Sequence, residues 1–303
     1  MQDRIAFSFL VIGKTQESKE TQEFARYIGV GSTRVLAVNP DKKTLDELMG
    51  FESQKEPQYI ADGERGKEAR IHFIVRTDPE QCNGIEITGR LMFTLRATPA
   101  YNRDQTKVQV IDEYGNSTWA NIEDAKAGKT LVASNGTPLK IGKKYRMACS
   151  GEADLVSFLK TYLCVQDAFS YINGAWVLKD NASDCLFGLE HIKDYFNGDF
   201  SELAEAIKLR EGNKVKLLYG VRTVTDDKGT RQYQDVATRE GLILPNNAGS
   251  NALARLQKNL TDAKNSGAYA NTEFAVQELT EYKVNPTNLA QETQATEEKS
   301  PWD

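Results

Sequence analysis

Hydrophobic and polar positions alternate with a period of two through much of the first half of the chain, most clearly from Ile85 to Thr98. Ile85, Ile87, Gly89, Leu91, Phe93, Leu95 and Ala97 share one face, and Glu86, Thr88, Arg90, Met92, Thr94, Arg96 and Thr98 share the other. This pattern predicts a half-buried strand with its arginines turned outward. Arg70 to Arg76 alternates in the same way, and Lys107 to Tyr114 and Ser117 to Ala120 flank Gly115-Asn116, a hairpin signal. Too few residues separate these runs for crossover helices, so they predict an antiparallel sheet or barrel. Upstream, Ile5 to Ile12 and Arg34 to Val38 read as short strands and Gly29 to Ser32 as a turn. Thr44 with Glu47 reads as a capping box over a short helix that stops at Gly50.

Around Gly151 the period changes to that of a helix, with Leu155, Val156, Leu159, Tyr162 and Leu163 on one face. A second helix is expected from Ser201 to Arg210, stopped by Gly212. Alternation returns in a hairpin, Lys214 to Thr225 and Arg231 to Leu244. Its first strand sets Val215, Leu217, Tyr219 and Val221 against Lys214, Lys216, Leu218 and Arg222, one face apolar and the other basic. Ser250 opens an amphipathic helix carrying Leu253, Leu256 and Leu260, and Thr272 to Tyr282 reads as a last short helix. After Pro286 the chain is polar until Trp302, a composition that predicts disorder. The expected fold is therefore α+β, mainly antiparallel sheet with an OB-like barrel and several helices. A β-rich domain is expected over residues 1–150, an α+β domain with a basic hairpin over 151–285, and an acidic tail over 286–303.

Charge sharpens this organisation. The 303 residues carry a net charge of −5, and from Asn271 onward seven acids face two lysines, so the tail region holds the entire excess. The body is neutral, but from Lys208 to Arg231 seven cations face three acids. The acidic pI of about 5.4 thus says nothing against a basic surface on the body. With 40% hydrophobic and 27% charged residues the chain has the composition of a protein with a buried core. No run approaches the roughly 18 apolar residues of a membrane span, and the start of the chain lacks the features of a signal peptide. An intracellular, cytoplasmic protein is expected.

Few residues suggest catalysis. Cys82, Cys149, Cys164 and Cys185 are widely separated, and His72 and His191 are the only histidines, so no metal site and no cofactor are expected. Gly29-Val30-Gly31-Ser32 lacks the Lys-Ser/Thr of a phosphate-binding loop and the third glycine of a dinucleotide fingerprint. The plentiful carboxylates have no partner at catalytic spacing, so the chain is not read as an enzyme.

Cations and aromatics, by contrast, occur together on predicted strands. Arg90, Arg96, Arg103 and Lys107 accompany Tyr101, Tyr114 and Trp119, while Lys214, Lys216, Arg222, Lys228 and Arg231 accompany Tyr219 and Tyr233. Single-stranded nucleic acid needs cations along its phosphates and flat side chains under its unstacked bases, each stack contributing roughly 1–3 kcal/mol. A sheet with one solvated face supplies both. The opposing reading makes these cations ordinary solvated residues, with Tyr219 and Trp119 filling the core. The acidic tail, with Glu297, Glu298, Pro301, Trp302 and Asp303 at its tip, offers partner proteins an aromatic anchor among carboxylates.

Taken together, these features resemble the replication single-stranded-DNA-binding proteins of tailed bacteriophages, which have OB-fold cores and acidic C-termini ending near an aromatic residue. The segments Tyr27 through Val38-Asn39-Pro40, Arg76-Thr77-Asp78-Pro79, Asn83-Gly84-Ile85 and Lys107 to Asp112 are also similar to proteins of large phages of gut Bacteroidetes, including crAss-like phages. The resemblance implies cooperative, sequence-independent binding with self-association on DNA, in the cytoplasm of an infected bacterium. It also implies contacts to replication proteins through the tail. The chain departs from the large-phage type in lacking a Cys/His zinc module, and its tail is less acidic. A structural or cargo protein of the virion is the competing reading.

Overall fold

The alternating segments pair as long antiparallel strands in the computed structural model, which describes residues 25–163 and 192–283 with the backbone of a hairpin at 169–172 and 175–178. Positions 51, 53–54, 65, 113–114, 133–138, 140, 143 and 228 are excepted. The expected strand at Ile5 to Ile12, the acidic tail, Tyr114, Lys228, Cys164, Cys185 and His191 lie outside the described residues.

A ten-stranded sheet forms the body. Its path runs β12 (Gly229–Val236), β11 (Val215–Asp226), β1 (Tyr27–Val38), β3 (Gly66–Thr77), β4 (Thr88–Pro99) and β8 (Cys149–Ser150). Four short strands join its flanks: β2 (Ile60–Gly63), β13 (Leu244–Pro245), β14 (Thr272–Phe274) and β15 (Thr280–Glu281). A smaller sheet has the order β6 (Ser117–Asn121), β5 (Lys107–Asp112), β7 (Tyr145–Met147), and β9 (Phe169–Ile172) pairs with β10 (Ala175–Leu178). The described helices are α1 (Lys42–Met49), α2 (Ile122–Lys126), α3 (Glu152–Tyr162), α4 (Ile192–Tyr195), α5 (Ser201–Leu209) and α6 (Ser250–Asn265).

Helices pack against both faces of the large sheet. Ile71, Phe73, Val75, Leu91, Phe93, Leu95, Val215, Leu217 and Tyr219 point to one side, where α3 adds Leu155, Phe158, Leu159 and Tyr162 and α5 adds Leu203 and Ile207. Phe158 is at its centre, with ring centroids 4.7 Å from Phe73, 5.5 Å from Phe93 and 5.9 Å from Tyr162. On the other side Ile74 packs against Leu45 and Met49 of α1, and Leu218 packs against Leu256 and Leu260 of α6 with Phe274.

That arrangement explains why the described strands do not close into the expected barrel. A barrel needs one face of the sheet to become its own interior; here each face buries against helices instead, and the ladder stays open from β12 to β8. The core draws on residues before and after position 150, since β1 pairs with β11, so the expected boundary falls between two parts of one sheet.

Three local expectations are corrected. Gly29 to Ser32 is strand rather than turn, because its glycines permit close packing: a Cβ on Gly29, at φ +131°, would lie 2.5 Å from the Glu278 carbonyl. The cap of α1 is Asp41, whose carboxylate accepts from the Thr44 amide, rather than Thr44 itself. Thr272 to Tyr282 forms β14 and β15 rather than a helix, because pairing with β11 and β1 satisfies its backbone.

Candidate nucleic-acid interface

The twelve expected interface residues divide according to what else each side chain does. Arg96 Nε donates to Glu68 Oε1 at 2.9 Å. Burial alone would raise the Glu68 carboxyl, but the hydrogen bonds from Arg96 and Arg70 outweigh it and hold the group below its ordinary value. Lys214 is ion-paired with Asp78, and Lys216 Nζ donates to the Ala248 carbonyl at 2.8 Å. Arg90 lies part-buried opposite Ile74, which packs against α1. Tyr219 is wholly buried, its hydroxyl 2.9 Å from Thr33 Oγ1, and burial pushes its phenol well up. Core packing against β1 thus withdraws Tyr219 from any surface, as the opposing reading of its strand allowed.

The exposed members lie in two places. The first is the small sheet, where Val108, Val110 and Ala120 pack with Ala125 and Leu131 on one side. Trp119 is 42% exposed and Tyr101 44%, and Arg103 and Lys107 are exposed close to Tyr101 in sequence. Hydrogen bonds hold the turn between Tyr101 and Lys107: Asn102 Oδ1 accepts from the Lys107 amide at 2.8 Å, and Asp104 Oδ1 accepts from the Thr106 hydroxyl at 2.6 Å. At the other end of β5, Asp112 accepts from the amides of Asn116 at 2.8 Å and Gly142 at 2.7 Å.

Register decides how the two rings can act. Trp119 is opposite Gln109, whereas Tyr101 bridges to Val108. Adjacent residues of one strand project to opposite faces. The two rings therefore serve separate surfaces, rather than the single platform expected. Lys107 and Asn121, directly paired, share the Trp119 face.

The second place is the outer half of the β11–β12 hairpin. Arg222 is directly opposite Tyr233, with its guanidinium 5.6 Å from the ring centroid, a cation–π distance. Arg231 is exposed and ion-paired with Asp226. Beneath them Asp235 is buried; burial raises its carboxyl, and it accepts from Thr272 Oγ1 at 3.0 Å. An open cleft of 540 Å³ runs alongside, lined by Val221, Thr223, Thr225, Lys264, Asn271 and Glu273.

No family model matches this chain, and no similar curated protein or solved structure is found. What the chain does is therefore argued from its own surface.

That surface includes two cations that sequence reading did not single out. Arg34 on β1 is directly opposite Arg76 on β3. Arg76 lies at an outward position of an alternating run, which was legible; that the strand of Arg34 is its neighbour was not.

Proposed function

We propose that the chain binds single-stranded DNA without sequence preference, in phage DNA replication or recombination in the cytoplasm of an infected bacterium. Copies contact one another along the strand, and the tail ending at Glu297, Glu298, Pro301, Trp302 and Asp303 recruits replication proteins. One observation carries the reading. Of the five exposed large hydrophobics among the described residues, Tyr101, Trp119, Val132 and Met147 fall between residues 101 and 147, in the stretch that also exposes Arg103 and Lys107. Solvated rings beside cations are what unstacked bases and their phosphates require. The reading does not depend on an OB-like barrel, because a single open strand face suffices for stacking.

Fluorescence anisotropy with labelled oligo(dT) across a salt series tests it. The expected result is binding at low salt, with log K falling against log salt with a slope of several units, about 0.7 per neutralised phosphate. Trp119→Ala should weaken binding by roughly 1–3 kcal/mol. Failure to bind at low salt overturns the reading. Val132 and Met147 are aliphatic, which favours the virion structural or cargo role instead; in that case the chain self-associates without DNA and Trp119→Ala disrupts the assembly.

A further inference from the structure

The pairing of β11, β1 and β3 builds a line of positive charge that no single segment of the chain contains. Thr33 is paired with Val215 on one side and Thr77 on the other, so the next residues along, Lys214, Arg34 and Arg76, form one row across three neighbouring strands. Thr88 on β4 continues the row and accepts from Arg76 Nε at 2.8 Å. In the adjacent row on the same face Ser32 is paired with Lys216. This face is opposite to the one that buries Val35, Val75 and Val215 against α3 and α5.

Like charges directly across a strand pair oppose folding. Here two arginines face each other, with a lysine on the next strand. Asp78 partly compensates, through its ion pair with Lys214 and its field at Arg34. Among the described residues neither Arg34 nor Arg76 has an ion pair of its own. Arg34 is exposed and Arg76 half-buried. Neighbouring strands are about 4.8 Å apart, so the three cations span about 10 Å, a line suited to successive charges of a linear polyanion. Ser32 Oγ donates to Asn246 Oδ1 at 2.6 Å, and Asn246 Nδ2 donates to Gln81 Oε1 at 3.2 Å, which closes one side of the row with neutral polar groups.

We infer that the row Lys214–Arg34–Arg76 is a binding site for a linear phosphate polyanion, separate from the ring-bearing surface of the small sheet. Naming that ligand as DNA rests on the proposed function; the polyanion site itself does not. The row has no exposed ring, so it reads charge and leaves strandedness to other surfaces.

The test uses the full chain, its Arg34→Gln/Arg76→Gln variant, and two probes, oligo(dT) and inorganic polyphosphate, each over a salt series. The variant should bind both probes at least tenfold more weakly at low salt. Its oligo(dT) salt slope should shrink by about 1.4, two phosphates at about 0.7 each. Arg34→Gln alone, which removes no hydrogen bond, should show about half that change and covers the case in which the double variant fails to fold. Unchanged affinity and slope for both probes in a folded variant overturn the inference, as does a wild-type chain that binds neither probe. Polyphosphate binding that depends on Arg34, with no oligo(dT) binding by the wild type, upholds the site and overturns the proposed function. Loss of oligo(dT) binding in Trp119→Ala, with polyphosphate binding retained, shows that the two surfaces act separately.

Discussion

The large and small sheets treat the same kind of strand in opposite ways. In the large sheet helices pack on both faces, and its Phe73, Ile74, Leu217 and Leu218, on alternate sides, are all fully buried. The small sheet buries Val108 and Val110 on one side but leaves Trp119 and Tyr101 in solvent. Burial of an aromatic side chain is among the largest single contributions to folding. A fold that leaves rings exposed in one sheet while packing rings densely in the other has put stability in the first region and surface chemistry in the second.

The junction between them is specific. Ile111 of β5 reaches into the main core, and Arg146 of β7 bonds both carboxylate oxygens of Glu152 at the start of α3. The Glu152 side chain is fully buried and also accepts from the Cys149 amide at 2.9 Å. Gly151 makes the turn into α3 at φ +85°; a Cβ there would lie 2.2 Å from the Thr94 carbonyl, so only glycine fits.

Four measurements sharpen the contrast, from the largest effect to the smallest. Phe158→Ala should cost about 4 kcal/mol in chemical denaturation, because it empties the centre of a ring cluster; a loss below about 1 kcal/mol would show that the large sheet is not where stability resides. The second effect depends on acid. His72 lies edge-on to Tyr59 at 5.2 Å, and burial, with Arg90 and Arg70 nearby, depresses its imidazole from 6.5 to about 4. The unfolded chain takes up that proton first, so the contribution is complete above about pH 6.5 and lost as pH falls through about 4. The loss between those limits should reach at most about 3 kcal/mol, and His72→Gln should flatten that limb of the pH profile.

Glu152→Ala comes third. It should cost about 2 kcal/mol, below the usual range for a broken buried pair because Arg146 stays half-exposed to water. Hydrogen exchange should rise more in β5 to β7 than in β3 and β4, and uniform acceleration would mean that the two sheets unfold as one unit. Smallest is Trp119→Ala, expected to change folding stability by no more than about 0.5 kcal/mol while weakening oligo(dT) binding. A large loss of stability would return Trp119 to the structural role that the opposing reading gave it.

Much of the local structure was legible. Of the inward set expected from Ile85 to Ala97, the residues from Ile87 through Leu95 are buried as the alternation requires, while Ile85 is half-buried and Ala97 exposed; the helices expected at Ser201 and Ser250 begin at those residues. The hairpin at Gly115-Asn116 joins β5 to β6 as expected. Leu218 was the overlooked signal: an apolar residue among lysines on the supposed solvent face marks a second buried side, which α6 covers. A second apolar side is also why an open sheet with helices on both faces forms instead of a barrel.

For the candidate site, residue type was legible and availability was not. Arg96 and Arg103 look alike in sequence, but Glu68 holds the first while the second is exposed. The chain by itself determined the alternating strands, the amphipathic helices and the division of charge between body and tail, because these depend on neighbours within a few residues. Tertiary structure alone decided that Tyr219 is core, that Trp119 and Tyr101 face apart, and that Lys214, Arg34 and Arg76 form one row. Each of these depends on which strands pair and in what register, and the pairing of β1 with β11 joins residues more than a hundred positions apart in sequence.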